Sequence, residues 1–367
     1  MTAKRIIISG GGTGGHIFPA VSIANALKKI DPGTEILFVG AEGRMEMEKV
    51  PAAGYKIVGL PVRGFVRSLS PQNLVVLWKL AKSLLRARRI LKEFGPDVVV
   101  GVGGYASGPV LRQAGSMGIP TLIQEQNSYA GVTNKLLAKK AGKICVAYEG
   151  MEKYFPADKI VKTGNPVRQS FENLGALRNE ALNYFGLKSD KPVVLILGGS
   201  LGAGTINNSL SGDLAKMDAS GCQWLWQTGK FYFEKTNALV SAGSHPDIKV
   251  LGFIDRMDYA FAVADVIISR AGAGTISELC LVGKPVILVP SPNVAEDHQT
   301  KNALALSTRN AAMFVRDADA VNTLVDNAIN LVRDCERKLT LSRNIALMAD
   351  RNADIRIAEE IFKLAGK

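Results

Sequence analysis

The sequence predicts an α/β protein made of two parallel-sheet domains facing one another across a cleft. Three observations predict it. Apolar runs alternate with amphipathic stretches along almost all of the 367 residues, the pattern of parallel strands covered on both faces by helices. A glycine-rich loop follows an apolar strand twice, at GGGTGGH (Gly10 to His16) and at GGSLGAGTIN (Gly198 to Asn207), and each loop feeds a helical pattern. The length itself suits about two domains.

In the first half, strands are expected at IIIS, Glu35 to Gly40, Tyr55 to Leu60, Asp97 to Gly104, Pro120 to Gln126 and Lys143 to Tyr148. All are near-continuous hydrophobic runs, as buried parallel strands require. Helical patterns fall between them, including Pro19 to Ile30 and Leu74 to Phe94. The second half repeats the scheme at Pro192 to Leu197, Cys222 to Thr228, Asp247 to Phe253, Asp265 to Arg270, Pro285 to Pro290 and Ala311 to Arg316. Glycine and proline punctuate TGNPVR (Thr163 to Arg168), which marks the boundary. Residues 1–166 form the first domain and 167–340 the second. One last helix, Leu341 to Leu364, is expected within 341–367, crossing back to the first.

Composition excludes several classes. Apolar residues make up 47% and charged residues 21%, which is globular rather than disordered. The four cysteines stand far apart with no C-x-x-C, and read as reduced thiols of a cytosolic protein. No apolar stretch reaches membrane-span length, and the short apolar run before the first glycines is not a signal peptide. The net charge of +12 is one-sided: residues 1–167 hold 23 Lys and Arg against 11 Asp and Glu, whereas 168–367 hold 22 of each. The first domain therefore meets an anionic partner. Val50 to Lys92 contains no acid but holds Arg63, Arg67, Lys79, Lys82, Arg86, Arg88, Arg89 and Lys92, with Phe65 and Trp78. Leu77, Leu80, Leu84 and Leu91 form a core stripe. Trp78, Lys82, Leu85 and Arg89 form a basic, aromatic face beside it. A solvated basic helix would look similar. The absence of acids favours an anionic membrane surface, and no nucleic-acid motif is present.

The first loop contains G-x-G-x-x-G, which alone also fits a dinucleotide site with Glu42 as its acid. That reading leaves the second glycine loop unexplained. His16 ends the first loop and is one of three histidines. It can be a neutral general base, its pKa held down by the helix dipole, or a cap for the turn. GVGGYASGP and QEQNSYAGVTN follow the fourth and fifth strands, where open parallel sheets bind ligands. They offer Tyr105, Ser107, Glu125, Asn127 and Asn134 for a sugar or peptide. SRAGAGTISE places Arg270 for phosphate, small residues for close backbone approach, and Glu278 for a ribose diol or as the acid of a capping box with Thr275. Asp297, His298 and Gln299 follow the next strand. Asp317-Ala318-Asp319 reads as helix capping rather than a metal motif, and no zinc spacing occurs.

Taken together, GGTGGHIFPA, GVGGYASGP, QEQNSYAGVTNK, GNPVR, GGSLGA, GFIDRM, RAGAGTISE and DHQTKNA resemble the MurG family in order and over nearly the whole chain. These enzymes add N-acetylglucosamine to lipid I in peptidoglycan synthesis. The resemblance implies a GT-B glycosyltransferase architecture of two Rossmann-like domains. It implies a metal-independent inverting transfer, with no cofactor, from UDP-GlcNAc to the 4-hydroxyl of the lipid-linked MurNAc-pentapeptide. It also implies a peripheral site at the cytoplasmic face of the membrane and contacts with other cell-wall synthesis proteins. By motif, Arg168, Ser200, Ile254, Thr275, Glu278 and Gln299 would hold the nucleotide sugar, Ile254 through its backbone on uracil and Glu278 on the ribose. Ser200 and the run Arg270, Ala273, Gly274, Thr275, Ile276 and Ser277 would meet the diphosphate. Thr13, Gly14, Gly15, Tyr105, Asn127 and Asn134 would meet the donor sugar or the acceptor. The family often has His-Glu-Gln-Asn where this chain has Gln124-Glu125-Gln126-Asn127. Glutamine takes no proton, so the base is His16 or Glu125.

Overall fold

Every strand pairing among the described residues is parallel. The structure, a computed structural model, describes residues 3–62, 72–167, 171, 173–199, 202–294 and 297–366, without the side chains of 72–77. Arg63, Phe65, Arg67, Arg168 and Ser200 lie outside the described residues, as does the Leu77 side chain.

Two units divide the chain, residues 1–168 with 352–367, and residues 169–351. In the first, β1 (Arg5–Gly10), α1 (Gly14–Ile30), β2 (Glu35–Ala41), α2 (Glu46–Ala52), β3 (Lys56–Leu60), α3 (Gln72–Phe94), β4 (Val98–Gly103), α4 (Ser107–Ser116), β5 (Thr121–Glu125), α5 (Val132–Ala138), β6 (Lys143–Val146) and β7 (Ile160–Lys162) follow in order. Their sheet runs β3-β2-β1-β4-β5-β6-β7. The period-2 pleat splits its core. Ile6, Ile8 and Phe38 pack with Ile23 and Leu27 of α1, whereas Ile7 and Val39 pack on the other face with Ala87 and Leu91 of α3. Strand β7 was not expected. It is three residues long at the sheet edge, too short to leave a pattern.

The second unit comprises α6 (Leu174–Phe185), β8 (Val193–Leu197), α7 (Gly204–Gly212), α8 (Leu214–Ala219), β9 (Gln223–Gln227), α9 (Lys230–Ala242), β10 (Ile248–Leu251), α10 (Met257–Val263), β11 (Val266–Ser269), α11 (Ala273–Val282), β12 (Val286–Leu288), α12 (His298–Ser307), β13 (Met313–Phe314), α13 (Asp317–Arg333) and α14 (Cys335–Ala346). Its sheet runs β10-β9-β8-β11-β12-β13. Strand order reverses beside β1 in one unit and beside β8 in the other, so each glycine loop leaves its sheet at a switch point, where doubly wound folds bind ligands.

The single terminal helix expected over 341–364 is corrected. Helix α14 ends at Ala346 and a separate α15 (Ala353–Leu364) follows. Leu341 and Ile345 of α14 are buried in the second unit. Only residues 352–367 return to the first. There Ile357, Ala358, Ile361 and Phe362 join the α1 side of the core, and Arg356 Nη2 donates to the Thr163 carbonyl at 2.6 Å.

Candidate functional site

In the first unit the chain turns from β1 into α1 over Gly11 to Thr13, and His16 sits in the first helical turn, half-buried. Its Nδ1 lies 3.1 Å from the Gly11 carbonyl oxygen. A carbonyl only accepts, so Nδ1 carries the proton and Nε2 keeps its lone pair. His16 thus fixes the turn and offers a base at once. Burial is the largest influence on the ring and lowers its pKa below 6.5; the bond to Gly11 and the charges of Glu125 and Glu46 act against it. Thr13, Gly14 and Gly15 precede the ring, and the first amides of α1 have no partner within the helix.

The loop after β4 closes on this turn. A Cβ at Gly104 would stand 2.3 Å from the Gly11 carbonyl oxygen, and one at Gly103 would stand 2.6 Å from His16 Cδ2. Only glycine allows the three to meet. Tyr105 projects from the same loop, 53% exposed. Ser107 does not: it is fully buried, its hydroxyl donating to the Ser9 and Gly103 carbonyls, so its expected ligand role is corrected to a brace between loops.

Glu125 ends β5, 2% exposed. Its Oε1 accepts from the Asn127 backbone N–H (3.1 Å) and side-chain amide (3.3 Å), and its Oε2 from Gly131 N–H (3.0 Å) and Asn134 Nδ2 (2.8 Å). Four donors occupy the lone pairs a base would use. The carboxylate organises its loop, and Asn127 and Asn134 are its ligands. Gln124, Gln126 and Asn165 are buried in an amide network that also reaches the Val102 carbonyl. The reading of QEQN as ligand-gripping groups holds for neither glutamine.

Sequence reasoning missed Glu46. It is fully buried on α2, and accepts from Ala41 N–H (2.9 Å) and Gly12 N–H (2.8 Å). In sequence nothing sets it apart from its neighbours Glu42 and Glu48.

In the second unit, Gly272 caps α11 with extended backbone. Thr275 is then the third helical residue and Glu278 the sixth, so the capping-box alternative is corrected and Glu278 lies half-buried along the helix. Ala273, Gly274 and Thr275 supply the open amides of the first turn, while the Ser277 hydroxyl donates back to the Ala273 carbonyl at 3.1 Å. Ile276 is buried in the core. Gln299 Oε1 accepts from Ser291 N–H (2.9 Å) and Ala271 N–H (3.3 Å), tying two loops together. Ile254 is 2% exposed with its side chain in the core, and a cavity of about 320 Å³ opens beside it, lined by Phe253, Asp255 and Arg256 among others.

The expectation that Arg270 faces phosphate is corrected. Its guanidinium donates to the Val289 (3.0 Å) and Pro290 (3.2 Å) carbonyls and pairs with the Asp317 carboxylate, which also accepts from Thr205 Oγ1 at 2.8 Å. Nor is Asp317 a cap. It is the first residue of α13, and Arg316 is the N-cap.

On α3 the core stripe is also corrected. Ser83, Ala87, Ile90 and Leu91 are buried, whereas Leu80 and Leu84 are only half-buried. The neighbouring face is as exposed as expected: Trp78 is 63% and Leu85 72% exposed, with Lys82 Nζ 5.3 Å from the Trp78 ring centre. Among the described residues, no helix is long and apolar enough to cross a membrane.

The chain matches known proteins over nearly all of its length. Residues 6–146 match the glycosyltransferase family 28 N-terminal domain and 193–357 its C-terminal domain. A Parabacteroides distasonis protein is 62% identical over 367 residues, covering all of both chains. One from Phocaeicola vulgatus is 63% identical, covering 99% of this chain and 97% of its own. Both are named UDP-N-acetylglucosamine–N-acetylmuramyl-(pentapeptide) pyrophosphoryl-undecaprenol N-acetylglucosamine transferase. The crystal structure of Acinetobacter baumannii MurG superposes with a TM-score of 0.73 at 29% identity, covering 98% of this chain and 99% of that one.

Proposed function

The chain belongs to the MurG family, within glycosyltransferase family 28, and on that premise we propose how its residues transfer N-acetylglucosamine from UDP-GlcNAc to the 4-hydroxyl of lipid-linked MurNAc-pentapeptide. The observation that carries the reading is the 3.1 Å contact of His16 Nδ1 with the Gly11 carbonyl oxygen, which favours the tautomer protonated at Nδ1 and basic at Nε2. Nε2 takes the proton of the acceptor hydroxyl as its oxygen attacks the anomeric carbon. The bond from that carbon to the UDP oxygen breaks, its electron pair leaves with the diphosphate, and the configuration inverts. Glu125 is the loop organiser rather than the base. Thr13, Gly14 and Gly15 beside His16, and Tyr105, Asn127 and Asn134 on the loops after β4 and β5, meet the donor sugar or the acceptor.

The second unit holds the donor. The open amides of Ala273 to Thr275 face the diphosphate and offset its growing charge without a metal ion. Glu278 accepts from the ribose hydroxyls, the Ile254 backbone meets uracil, and the Gln299 amide nitrogen donates to the nucleotide sugar. Arg168 and Ser200 join them by motif. The exposed Trp78–Lys82–Leu85–Arg89 face docks the first unit on the cytoplasmic face of an anionic membrane, where the lipid-linked acceptor resides.

Transfer of labelled GlcNAc from UDP-GlcNAc to a lipid I analogue tests the reading. The product is expected to carry a β-linkage, and His16→Gln is expected to abolish most turnover while leaving UDP affinity unchanged. Full turnover in that variant would remove His16 as the base.

A further inference from the structure

The two oxygens of Glu46 serve different segments. Oε1 accepts the Ala41 N–H at the end of β2, and Oε2 accepts the Gly12 N–H in the first glycine loop. The amide that supplies the Gly12 N–H is the one whose carbonyl, on Gly11, holds His16 Nδ1 at 3.1 Å. A single planar peptide therefore has a carboxylate at one end and the imidazole at the other. An anion accepting from the N–H draws the amide toward its polarised form and makes the carbonyl oxygen a stronger acceptor. The site around the carboxylate is also built. A Cβ at Gly11 would lie 2.2 Å from Glu46 Oε1, and one at Gly40 would lie 2.6 Å from Glu46 Cγ. Two glycines on different segments leave the space that one fully buried acid fills.

We propose that Glu46 is a positioning residue for His16, acting through the Gly11–Gly12 peptide to fix the ring and to hold the tautomer with a bare Nε2. Glu46 never meets substrate. It does the work a carboxylate does when bonded directly to a catalytic imidazole, with a peptide group inserted between them. The inference rests on the reading of His16 as the base. The charged groups that act on the ring are Glu46 from α2 and Glu125 from β5.

The test follows the ring nitrogens of His16 by NMR in histidine-labelled protein, assigned with His16→Gln; the chain has only three histidines. In the native protein at neutral pH, Nδ1 is expected to be protonated and Nε2 bare. In Glu46→Gln the tautomers are expected to mix and the His16 titration to move to lower pH, because a negative charge that favours imidazolium is gone. Turnover is expected to fall about 10-fold with KM for UDP-GlcNAc unchanged, and Glu46→Asp to recover part of it. In the His16→Gln background, Glu46→Gln is expected to cost no further turnover. An unaltered His16 tautomer and titration in Glu46→Gln, or the same loss in both backgrounds, overturns the proposal. If Glu46→Gln fails to fold, the native protein decides alone: the Gly12 amide proton shift is expected to move with the His16 titration, and a flat Gly12 shift overturns the coupling. Full turnover in His16→Gln would reject the base reading, while the ring measurements still judge the hold of Glu46 on His16.

Discussion

Replacing Gly104 with alanine isolates the contact on which the first loop depends. Gly104 has φ +87°, and a Cβ there would stand 2.3 Å from the Gly11 carbonyl oxygen and 3.0 Å from the Gly11 carbonyl carbon and nitrogen. All three are backbone atoms, so no side chain can swing aside; the loop must move by about 1 Å to restore ordinary contact. Gly12 supplies the control. It has the same φ, +87°, with nothing within 4 Å of its Cβ position. The left-handed backbone costs an alanine about 1–2 kcal/mol at either position, and the reduced freedom of the unfolded chain is common to both. Overpacking adds about 1–3 kcal/mol at Gly104 alone. Native-state hydrogen exchange of the Ile6–Ile8 amides in β1 reads the opening of this unit. We expect Gly104→Ala to be less stable than Gly12→Ala by about 1–3 kcal/mol. Its turnover should fall by up to about 100-fold, because the displaced oxygen is the one that orients His16. A difference under about 0.5 kcal/mol would refute the close approach of the two loops.

The pH profile of kcat/KM should rise through a limb below pH 6.5, since burial lowers the His16 pKa and protonation removes the lone pair at Nε2; a limb centred above 6.5 contradicts this. Loss of a neutral His16 in His16→Gln should reduce kcat by about 10²–10⁴, read in the same transfer assay. Arg270→Ala leaves the Asp317 carboxylate short of its cation and should destabilise the second unit by about 2–3 kcal/mol, less than a fully buried pair because both side chains are partly exposed; exchange at Val266–Ser269 measures it, and no change would make the pair incidental. Chelation with EDTA should leave turnover intact, and restoration by added magnesium would count against amide-based support of the diphosphate. The triple variant Trp78→Ala, Lys82→Ala, Arg89→Ala should lose most co-sedimentation with anionic vesicles at low salt, at about 1 kcal/mol per cation removed; undiminished binding would assign the surface elsewhere.

The sheets were legible because their strands are buried on both faces, so runs such as Ile6 to Ile8 and Val193 to Leu197 carry no polar interruption. The glycine loops were legible for the complementary reason, that backbone contact leaves no room for side chains. What escaped the sequence is pairing at a distance. Arg270 reads as a phosphate ligand until Asp317, far along the chain, claims its guanidinium. Glu46 looks solvated because the charged Arg44, Glu48 and Lys49 surround it in sequence; the gaps at Gly11 and Gly40 that admit it are adjacent only after folding. Glu125 differs again. Its motif marks it as functional, but the count of donors around it separates an organiser from a base. The break between α14 and α15 falls at LMADRN, where no proline or glycine announces a stop.

The return of residues 352–367 to the first unit governs how this chain can be made. A ribosome delivers residues 1–168 first, yet Ile357, Ile361 and Phe362, which cover Ile23 and Leu27, emerge only after residues 169–351. At ordinary elongation speeds the intervening stretch takes on the order of 10–40 s to synthesise. Throughout that time one flank of the leading unit stays bare, while residues 169–351 form an uninterrupted segment able to finish first. The half that is translated first is thus the half completed last, and its greasy flank is the place where a nascent chain would call on chaperones.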